Sequence, residues 1–407
     1  MKCGLLGAKL GHSYSPQIHS RLGNYSYDLF EKAPEELEDF LKNGDFVGLN
    51  VTIPYKKSVI PFCDELSPIA QKLGAVNTIV RNTDGKLIGH NTDYFGFSSM
   101  VRHAGLDPKN KRVLVLGTGG ASATVQVVLQ EMGAKITVIS RTGENNYENM
   151  YQYKDTAVIV NATPVGMYPN NGETLVDLDR FPKLEGVLDL IYNPSRTQLI
   201  LDAHARKLIA ENGLWMLVAQ AKESAEWFLG NTVSDDLISS IYKQLQKQME
   251  NIILIGMPGC GKSTVGKLLS QMLNRPFVDA DTAIIEKAGM SIPDIFANQG
   301  EAGFRALETE VLAELCKASG TVISTGGGCV TQSRNYPLLH QNGRIVWLTR
   351  SLYMLPTDGR PLSQQTSIFE MYEKRSPLYS EFADIVVDNN CDPTTTVSKI
   401  IIAEESE

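Results

Sequence analysis

Ile252-Ile253-Leu254-Ile255 leads directly into Gly256-Met257-Pro258-Gly259-Cys260-Gly261-Lys262-Ser263, and this stretch decides the fold of the second half of the chain. The loop fits the G-x-x-x-x-G-K-[ST] pattern between a predicted strand and a predicted helix, so its backbone N–H groups can surround nucleotide phosphates. Lys262 is expected to reach the terminal phosphates and Ser263 a Mg²⁺ ion. The sequence therefore predicts a nucleoside triphosphate site whose nucleotide-binding residues are Gly259, Cys260, Gly261, Lys262, Ser263 and Thr264.

A second glycine-rich loop, Gly117-Thr118-Gly119-Gly120-Ala121, follows the apolar run Val113-Leu114-Val115-Leu116. Its glycines allow a tight turn and close approach to a pyrophosphate, although Ser122 stands where the third glycine of G-x-G-x-x-G would be. The next predicted strand, Lys135-Ile136-Thr137-Val138-Ile139, ends in Ser140-Arg141-Thr142. A guanidinium suits a ribose 2′-phosphate, which favours NADP over NAD. The alternative is that Arg141 is only a solvated charge at the end of a strand.

The bulk composition limits the classes of function. The chain has 407 residues, more than one hydrophobic core usually supports, so two or three domains are expected. With 38 basic and 46 acidic residues the net charge is -8, which argues against nucleic acid or an anionic membrane as the main partner. The six cysteines have no metal-ligand spacing, and neither a secretory leader nor a membrane-spanning run is expected. We therefore expect a cytoplasmic enzyme of small molecules.

Strand-like and helix-like runs alternate, which predicts an α/β protein with parallel sheets. The break at Asp107-Pro108-Lys109-Asn110-Lys111 precedes the first phosphate loop, and Met249-Glu250-Asn251 leads into the second like the start of a separate protein. We interpret the latter as the joint of a gene fusion. The expected domains are 1–100, a substrate-binding and catalytic α/β domain completed by the helix at 221–248; 101–248, a Rossmann-type NADP domain; and 249–407, a phosphate-loop kinase domain with a parallel sheet flanked by helices.

Six motifs in the first part of the chain occur in the order seen in shikimate dehydrogenases. They are Gly11-His12-Ser13-Tyr14-Ser15-Pro16, Asn50-Val51-Thr52-Ile53-Pro54-Tyr55-Lys56, Gly74-Ala75-Val76-Asn77-Thr78, Asn91-Thr92-Asp93, Asn161-Ala162-Thr163-Pro164-Val165-Gly166-Met167 and Gln220-Ala221. Residues 1–248 thus resemble that family. The resemblance implies substrate contacts from Ser13, Ser15, Thr52, Lys56, Asn77, Asp93, Tyr192 and Gln220. It implies cofactor contacts from Gly117, Thr118, Gly119, Gly120, Ala121, Ser140, Arg141, Thr142, Leu190 and Gly213.

The chemistry expected of that family explains these residue types. Reduction of the ring ketone of 3-dehydroshikimate needs a hydride on carbon and a proton on the developing alkoxide, so an acid must lie within hydrogen-bond reach. Lys56 and Asp93 are both candidates, and the sequence leaves open which of them transfers the proton. The alternative for Lys56, with Lys57 beside it, is a solvated loop lysine.

A second series of motifs follows the phosphate loop and resembles shikimate kinases over residues 249–407. The motifs are Phe277-Val278-Asp279-Ala280-Asp281, Gly300-Glu301-Ala302-Gly303-Phe304-Arg305, Gly326-Gly327-Gly328, Gly359-Arg360-Pro361-Leu362 and Arg375-Ser376-Pro377-Leu378-Tyr379. The resemblance implies that shikimate is held by Asp281, Arg305, Gly327 and Arg375. It also implies that Mg²⁺ is held by Ser263 and Asp279, and that Arg360 closes over the phosphates of ATP.

Two arginines from distant points on the chain suit a carboxylate, which accepts paired charge-assisted hydrogen bonds. Asp281 would orient or deprotonate the attacking hydroxyl, while Lys262, Mg²⁺ and Arg360 neutralise the transferring phosphoryl group. The alternative for the two arginines is ion pairing with Glu308 or Glu373 at the surface. Cys260 is explained as a small residue filling a position in the loop.

Together the halves predict a bifunctional enzyme of chorismate and aromatic amino acid biosynthesis, with NADP(H), ATP and Mg²⁺ as cofactors and with 3-dehydroshikimate and shikimate as substrates. One alternative is a first half that prefers quinate or NAD. Another is a kinase half that has become a regulatory nucleotide-binding module, because the chain between Leu348 and Arg360 is shorter than is usual in shikimate kinases. The oligomeric state, the relative domain orientation and any channelling of shikimate are not predicted.

Overall fold

The computed structural model describes residues 1–11, 13–355 and 367–405. The chain divides into two compact units. The first comprises Met1–Val165, Thr174–Tyr192 and Asp202–Leu245, and the second comprises Gly166–Glu173, Asn193–Leu201 and Gln246–Glu407.

The first unit contains a six-stranded mixed sheet in the order β2-β1-β3-β5-β6-β4. Its strands are β1 (Lys2–Gly7), β2 (Ser26–Glu31), β3 (Gly48–Val51), β4 (Glu65–Leu66), β5 (Thr78–Arg81) and β6 (Leu87–His90). The pairs β3–β5 and β5–β6 are antiparallel, and the others are parallel. This sheet therefore differs from the parallel sheet expected, because β5 runs against both of its neighbours, β3 and β6. Leu6, Leu49 and Ile79 are fully buried in its core.

A second, wholly parallel sheet of the same unit has the order β11-β10-β9-β7-β8. Its strands are β7 (Arg112–Leu116), β8 (Lys135–Ile139), β9 (Thr156–Asn161), β10 (Gly186–Asp189) and β11 (Ile209–Glu211). The interior strand β7 is apolar and buried from Val113 to Leu116, as expected for a strand covered on both faces. The chain moves outward in opposite directions from β7, so a topological switch point lies between β7 and β9. Ligands of open α/β sheets bind at such points.

The second unit is built on a parallel five-stranded sheet in the order β13-β14-β12-β15-β16. Its strands are β12 (Asn251–Ile255), β13 (Phe277–Asp279), β14 (Val322–Ser324), β15 (Gly343–Thr349) and β16 (Ile385–Asp388). The segment 193–201 also belongs to this unit, and Arg196 connects it to the sheet. Arg196 Nη1 donates to the carbonyl oxygens of His340 and Gly343 at 2.7 and 2.9 Å, and Arg196 Nη2 donates to Glu250 Oε1 at 2.6 Å.

Helices cover the sheets. The α-helices are α1 (Ser15–Leu22), α2 (Leu37–Asn43), α3 (Pro68–Leu73), α4 (Asp93–His103), α5 (Gly120–Glu131), α6 (Gln198–Ala205), α7 (Leu214–Leu229), α8 (Asp236–Met249), α9 (Lys262–Leu273), α10 (Ala280–Ala288), α11 (Ile292–Leu315), α12 (Asn335–His340), α13 (Ile368–Phe382) and α14 (Pro393–Glu405). Short 3₁₀ helices span Pro34–Glu36, Ile60–Phe62, Met150–Gln152, Leu178–Arg180, Cys329–Thr331 and Leu352–Met354. Within α11 the backbone of Gly300 is non-helical and marks a kink. None of the helices in the described residues is long and apolar enough to cross a lipid bilayer.

The predicted fold class is confirmed: one α/β sheet with its helices, a Rossmann-type sheet and a phosphate-loop sheet follow one another along the chain. The strands that lead into both phosphate loops, β7 and β12, lie where the apolar runs predict them. Each is followed at once by its loop and then by a helix, α5 or α9, so the helix N-terminus points at the loop.

Candidate active sites

The first candidate site lies at the ends of β3, β5 and β6. Lys56 follows β3, and its Nζ lies 2.7 Å from Oδ2 of Asp93, the first residue of α4. The side chains are 33% and 15% exposed, so the pair is largely shielded yet open to solvent on one side. Asp93 is held in turn by its own amide, which donates to Asn91 Oδ1 at 3.1 Å. Lys56 is thus a paired residue rather than a freely solvated loop lysine.

Asn77, another predicted substrate residue, is held by a buried polar cluster. Its Oδ1 accepts from the amide of Thr92 at 2.7 Å and from the hydroxyl of Thr78 at 3.1 Å. The hydroxyl of Ser224 lies 3.0 Å from both threonine hydroxyls, and it accepts from Asn50 Nδ2 at 2.7 Å. Because buried polar groups are costly without partners, this cluster fixes the orientation of the Asn77 amide.

Gln220 joins the same cluster from α7. The Thr92 hydroxyl donates to Gln220 Oε1 at 3.3 Å, and Gln220 Nε2 donates to the Leu217 carbonyl at 2.9 Å. Thr92 bonds both Asn77 and Gln220 and directly precedes Asp93 in the chain. The structure therefore brings together four predicted site residues: Lys56, Asp93, Asn77 and Gln220. Ser224, one turn after Gln220, was missed by sequence reasoning; its i+4 spacing from a predicted site residue was the only available signal.

The remaining predicted substrate residues flank this group. The amide of Ser15 donates to Ser13 Oγ at 3.2 Å at the start of α1, and Thr52 follows β3, where its amide donates to the Leu6 carbonyl. The ring of Tyr192 lies edge-on to that of Tyr14, with centroids 6.3 Å apart. Burial, and to a smaller extent Tyr14, raises the pKa of the Tyr192 phenol, so this hydroxyl remains a hydrogen-bond donor at neutral pH.

The dinucleotide loop lies at the switch point of the second sheet. Gly117 has φ +99°, a left-handed conformation that favours glycine, and a Cβ there would lie 2.7 Å from Thr163 Cγ2. Ser122 is buried and donates to the Gly117 carbonyl at 2.7 Å, which explains why a serine replaces the third glycine. Added Cβ atoms at Gly119 and Gly120 would meet no described atom within 4 Å. The bare backbone of these two residues therefore faces open space at the N-terminus of α5, as a pyrophosphate cradle requires.

The other predicted cofactor residues also lie at the carboxyl ends of strands. Ser140, Arg141 and Thr142 follow β8, and Arg141 is exposed and forms no hydrogen bond or ion pair with another described residue. Gly213 packs so closely against the main chain of Leu190 that a Cβ would collide with the Leu190 carbonyl oxygen. This contact unites two of the predicted residues at the end of β10 and the start of α7.

The second candidate site is a cavity of about 590 Å³ in the second unit. It is lined by the phosphate loop from Pro258 to Thr264, excepting Cys260, and by Asp281, Arg305, Gly327, Arg350 and Arg375. Nearly all predicted nucleotide and substrate residues of this half therefore share one cavity. Arg360, predicted to close over the phosphates, lies outside the described residues.

The phosphate loop is held by its own side chains. Lys262 is buried, and its Nζ donates to the carbonyl oxygens of Gly256 and Met257 at 3.0 and 3.2 Å. Ser263 Oγ donates to Asp279 Oδ2 at 2.5 Å, while Asp279 Oδ1 accepts from the amide of Asp281 at 3.0 Å. Two hard oxygen ligands thus stand side by side at the loop, a donor set that suits Mg²⁺ together with water and phosphate. No group of three or more His, Cys, Asp or Glu in the described chain forms a separate metal site.

Two buried arginines also line the cavity. Arg305 and Arg375 are only 5% and 8% exposed. Arg375 Nη1 donates to the Gly327 carbonyl at 3.0 Å. The Tyr379 hydroxyl donates to the same carbonyl. A Cβ at Gly328 would collide with the Arg305 guanidinium, so glycine at this position allows the close approach of Arg305.

Glu308 balances part of this charge and was missed as a site residue. Its Oε2 accepts from Arg305 Nη1 at 2.7 Å, and it is fully buried. The predicted alternative of an Arg305–Glu308 ion pair is therefore real, but the pair is buried in the cavity wall rather than at the surface. Burial raises the pKa of the Glu308 carboxyl despite the opposing effect of Arg305. The i, i+3 spacing from Arg305 was the available signal.

The fold and these two sites define an α/β protein with a Rossmann-type dinucleotide domain and a phosphate-loop kinase domain in one chain. Comparison with known proteins agrees. The family described as shikimate dehydrogenase substrate binding domain matches residues 5–79, and the family described as shikimate kinase matches residues 258–404.

Similar proteins match the dehydrogenase part of the chain over nearly their whole length. Shikimate dehydrogenase (NADP(+)) of Caldicellulosiruptor saccharolyticus is 35% identical over 281 residues, which span 61% of this chain and 99% of the relative. The solved chorismate mutase/shikimate 5-dehydrogenase fusion protein of Clostridium acetobutylicum is 37% identical with a TM-score of 0.58, covering 60% of this chain and 97% of that one. Shikimate 5-dehydrogenase of Listeria monocytogenes in complex with shikimate and NAD is 30% identical with a TM-score of 0.54, covering 59% and 95%. The chain belongs to the shikimate dehydrogenase family and carries a shikimate kinase domain at its C-terminal end.

Proposed function

We propose that the chain catalyses two consecutive steps of chorismate and aromatic amino acid biosynthesis. The first is the NADPH-dependent reduction of 3-dehydroshikimate to shikimate, and the second is the ATP- and Mg²⁺-dependent phosphorylation of shikimate to shikimate 3-phosphate. The observation that carries the proposal is the second cavity, in which Lys262 and Ser263 of the phosphate loop line the same space as Asp281, Arg305 and Arg375. A nucleotide loop facing two buried arginines fits an acceptor that bears a carboxylate.

The reductase step is assigned to the Lys56–Asp93 pair. NADPH, when bound, supplies the hydride that reaches the ketone carbon, and the ketone oxygen then takes a proton. Lys56 Nζ donates a hydrogen bond to Asp93 Oδ2 at 2.7 Å, so one of the two side chains can deliver the proton while the other stabilises the charge that remains. Asn77 and Gln220, oriented by the buried cluster, offer amide groups to the ring hydroxyls.

Several observations support NADP as the dinucleotide. Gly119 and Gly120 leave room for a pyrophosphate at the N-terminus of α5, where the helix dipole favours anions. Arg141 is exposed and has no hydrogen-bond or ion-pair partner among the described residues, so its guanidinium is available to a 2′-phosphate.

For the kinase step we assign substrate binding to Asp281, Arg305, Gly327 and Arg375. The two guanidinium groups hold the carboxylate, and Asp281 orients the attacking hydroxyl and accepts its proton. Lys262, released from its loop carbonyls, follows the phosphates of ATP, and Ser263 with Asp279 would hold Mg²⁺. The glycines at 326–328 let the shikimate ring approach the backbone closely.

We further propose the domain boundaries at 100 and 248. The single helix expected at 221–248 was wrong, because Gly230 ends α7 (Leu214–Leu229) in a left-handed conformation and α8 begins only at Asp236, so these two helices take its place in completing the first domain. We also propose a cytoplasmic location, which is supported by six cysteines that all remain unpaired in the structure.

A second candidate for the first half is oxidation or reduction with NAD. The Listeria monocytogenes relative solved with shikimate and NAD favours it. Initial rates of the purified chain with shikimate or quinate, each with NADP⁺ or NAD⁺, decide between the two. The proposal requires the highest kcat/KM for shikimate with NADP⁺; a higher value for quinate or for NAD⁺ would favour the second candidate.

A further inference from the structure

Arg350 enters the nucleotide end of the second cavity from the strand next to the phosphate loop. Strand β15 pairs in parallel with β12, with Trp347 opposite Ile255, so both strands end at the same edge of the sheet. Arg350 follows β15 directly and lines the cavity together with Gly259, Gly261 and Lys262.

The Arg350 side chain is directed at the loop and lacks a partner in the described part of the chain. A Cβ added at Gly261 would lie 3.7 Å from Arg350 Nη1. The Arg350 Nε is buried and finds no hydrogen-bond acceptor among the described residues, and no described carboxylate pairs with the guanidinium. A buried donor without an acceptor is costly, so such a group is expected to meet an acceptor when a ligand is bound.

Hydrogen bonds on both sides of Arg350 fix its backbone. The Thr349 carbonyl accepts from the amide of Asn389 at 2.8 Å, and the Ser351 amide donates to Asn390 Oδ1 at 2.8 Å. Asn389 also reaches into the phosphate loop, where its Nδ2 donates to the Cys260 carbonyl at 2.6 Å.

Asn389 is itself locked, since Thr396 Oγ1 donates to its Oδ1 at 2.6 Å and its side chain is buried. Asn389 and Asn390 therefore connect the phosphate loop to the backbone on both sides of Arg350. The backbone from which the Arg350 side chain extends is therefore already ordered, which lowers the conformational entropy lost when a ligand binds.

A planar guanidinium with several N–H donors matches phosphate oxygens, and the Gly261–Lys262 step is the part of the loop expected to surround the phosphates. We propose that Arg350 is a nucleotide-binding residue that contacts the phosphate chain of the nucleoside triphosphate held by the phosphate loop. This inference rests on the proposed kinase function, because it assumes that the cavity binds ATP. It assigns Arg350 a role in binding and not in the chemical step.

The test is the affinity of the full chain for ATP and for inorganic tripolyphosphate, measured by calorimetric titration without shikimate. Arg350→Ala is expected to weaken both ligands by about tenfold or more, since a charge-assisted hydrogen bond contributes about 1.5–3 kcal/mol. Arg350→Lys, which keeps the charge, should recover part of that loss. Arg334→Ala, which removes an exposed arginine outside the cavity, serves as the matched control and should bind both ligands as the wild type does.

Equal losses for the two ligands support the phosphate contact. A loss for ATP with unchanged tripolyphosphate affinity would place Arg350 on the base and overturn the proposal, as would unchanged affinity for both ligands. If Arg350→Ala fails to fold, Arg350→Lys is the deciding variant. Weaker binding of both ligands by Arg350→Lys would support the phosphate contact, and wild-type affinity for both would contradict it. Because these titrations need no turnover, a chain that binds ATP through Arg350 but forms no shikimate 3-phosphate would refute the proposed kinase function and leave this inference intact.

Discussion

Lys56 Nζ and Asp93 Oδ2 lie 2.7 Å apart although the two residues are 37 positions apart in the chain and stand on different elements. Lys56 comes from the segment after β3, and Asp93 begins α4. The pair joins the only two candidate proton donors proposed for ketone reduction into one unit, so removal of either should affect the chemical step more than the binding of the dinucleotide.

Lys56→Ala is expected to lower kcat for 3-dehydroshikimate reduction by about 10²–10⁴-fold, the range for loss of a general acid. The dissociation constant of NADPH should change little, because Lys56 does not belong to the dinucleotide loop. Stopped-flow rates and NADPH fluorescence titration measure the two quantities. Lys57→Ala, the exposed neighbour, is the control, and near-normal turnover of Lys56→Ala would remove Lys56 from the mechanism.

Arg141 should determine the preference between the two dinucleotides. Arg141→Ala is expected to raise KM for NADPH by about tenfold, the loss of one charge-assisted interaction, and to leave KM for NADH nearly unchanged. NADH lacks the 2′-phosphate and serves as the internal control. Parallel increases for both dinucleotides would show that Arg141 acts through the loop structure instead.

Arg375 should act on shikimate and not on ATP. Arg375→Ala removes a buried cation from the wall of the cavity and is expected to raise KM for shikimate by at least about tenfold, with a smaller change in KM for ATP. Its neighbour Lys374 is exposed, so Lys374→Ala is a matched control. An increase in KM for ATP alone would contradict the assignment of the arginine to the acceptor.

The pH dependence of stability should carry a signature of Glu211. Burial raises the pKa of this carboxyl to about 7, against the smaller opposite effects of the Tyr242 hydroxyl and the Asn212 amide, and His103 Nε2 lies 3.8 Å away. The folded state therefore binds more protons than the unfolded state between the ordinary glutamate pKa and about 7, and the free energy of unfolding falls as the pH rises through that window.

The shift corresponds to at most about 3 kcal/mol. Glu211→Gln should abolish this loss, raising the Tm relative to the wild type at pH 8 but not at pH 4.5. Thermal melts at the two pH values measure the difference. A Glu211→Gln protein with the same Tm difference from wild type at both pH values would exclude the titration of Glu211 as the cause.

The sequence predicted those parts of the sites that are local in the chain. The loops at 117–121 and 256–263 follow buried strands as their patterns require, because a glycine-rich turn between strand and helix is specified by consecutive residues. It could not predict that the Ser122 hydroxyl would bind the Gly117 carbonyl, or that Ser224 would join Asn50 and two threonines, since these contacts depend on packing between distant elements.

The partners of buried charged side chains could not be predicted from the sequence either. Glu308 is recognisable as a neighbour of Arg305 on a helix, but only the structure shows that the pair is buried. The inclusion of residues 193–201 in the second unit likewise depends on Arg196 and three groups more than fifty positions away in the chain. No local pattern marks such contacts.

The most direct measurement of the central claim is a single reaction of the purified chain with 3-dehydroshikimate, NADPH, ATP and Mg²⁺, with NADPH followed by absorbance and products by mass. One shikimate 3-phosphate should form for each NADPH consumed, and the Lys262→Ala chain should consume NADPH at the wild-type rate but accumulate shikimate, while Lys267→Ala behaves as the wild type. Consumption of NADPH by the wild-type chain with shikimate left unphosphorylated would contradict the account.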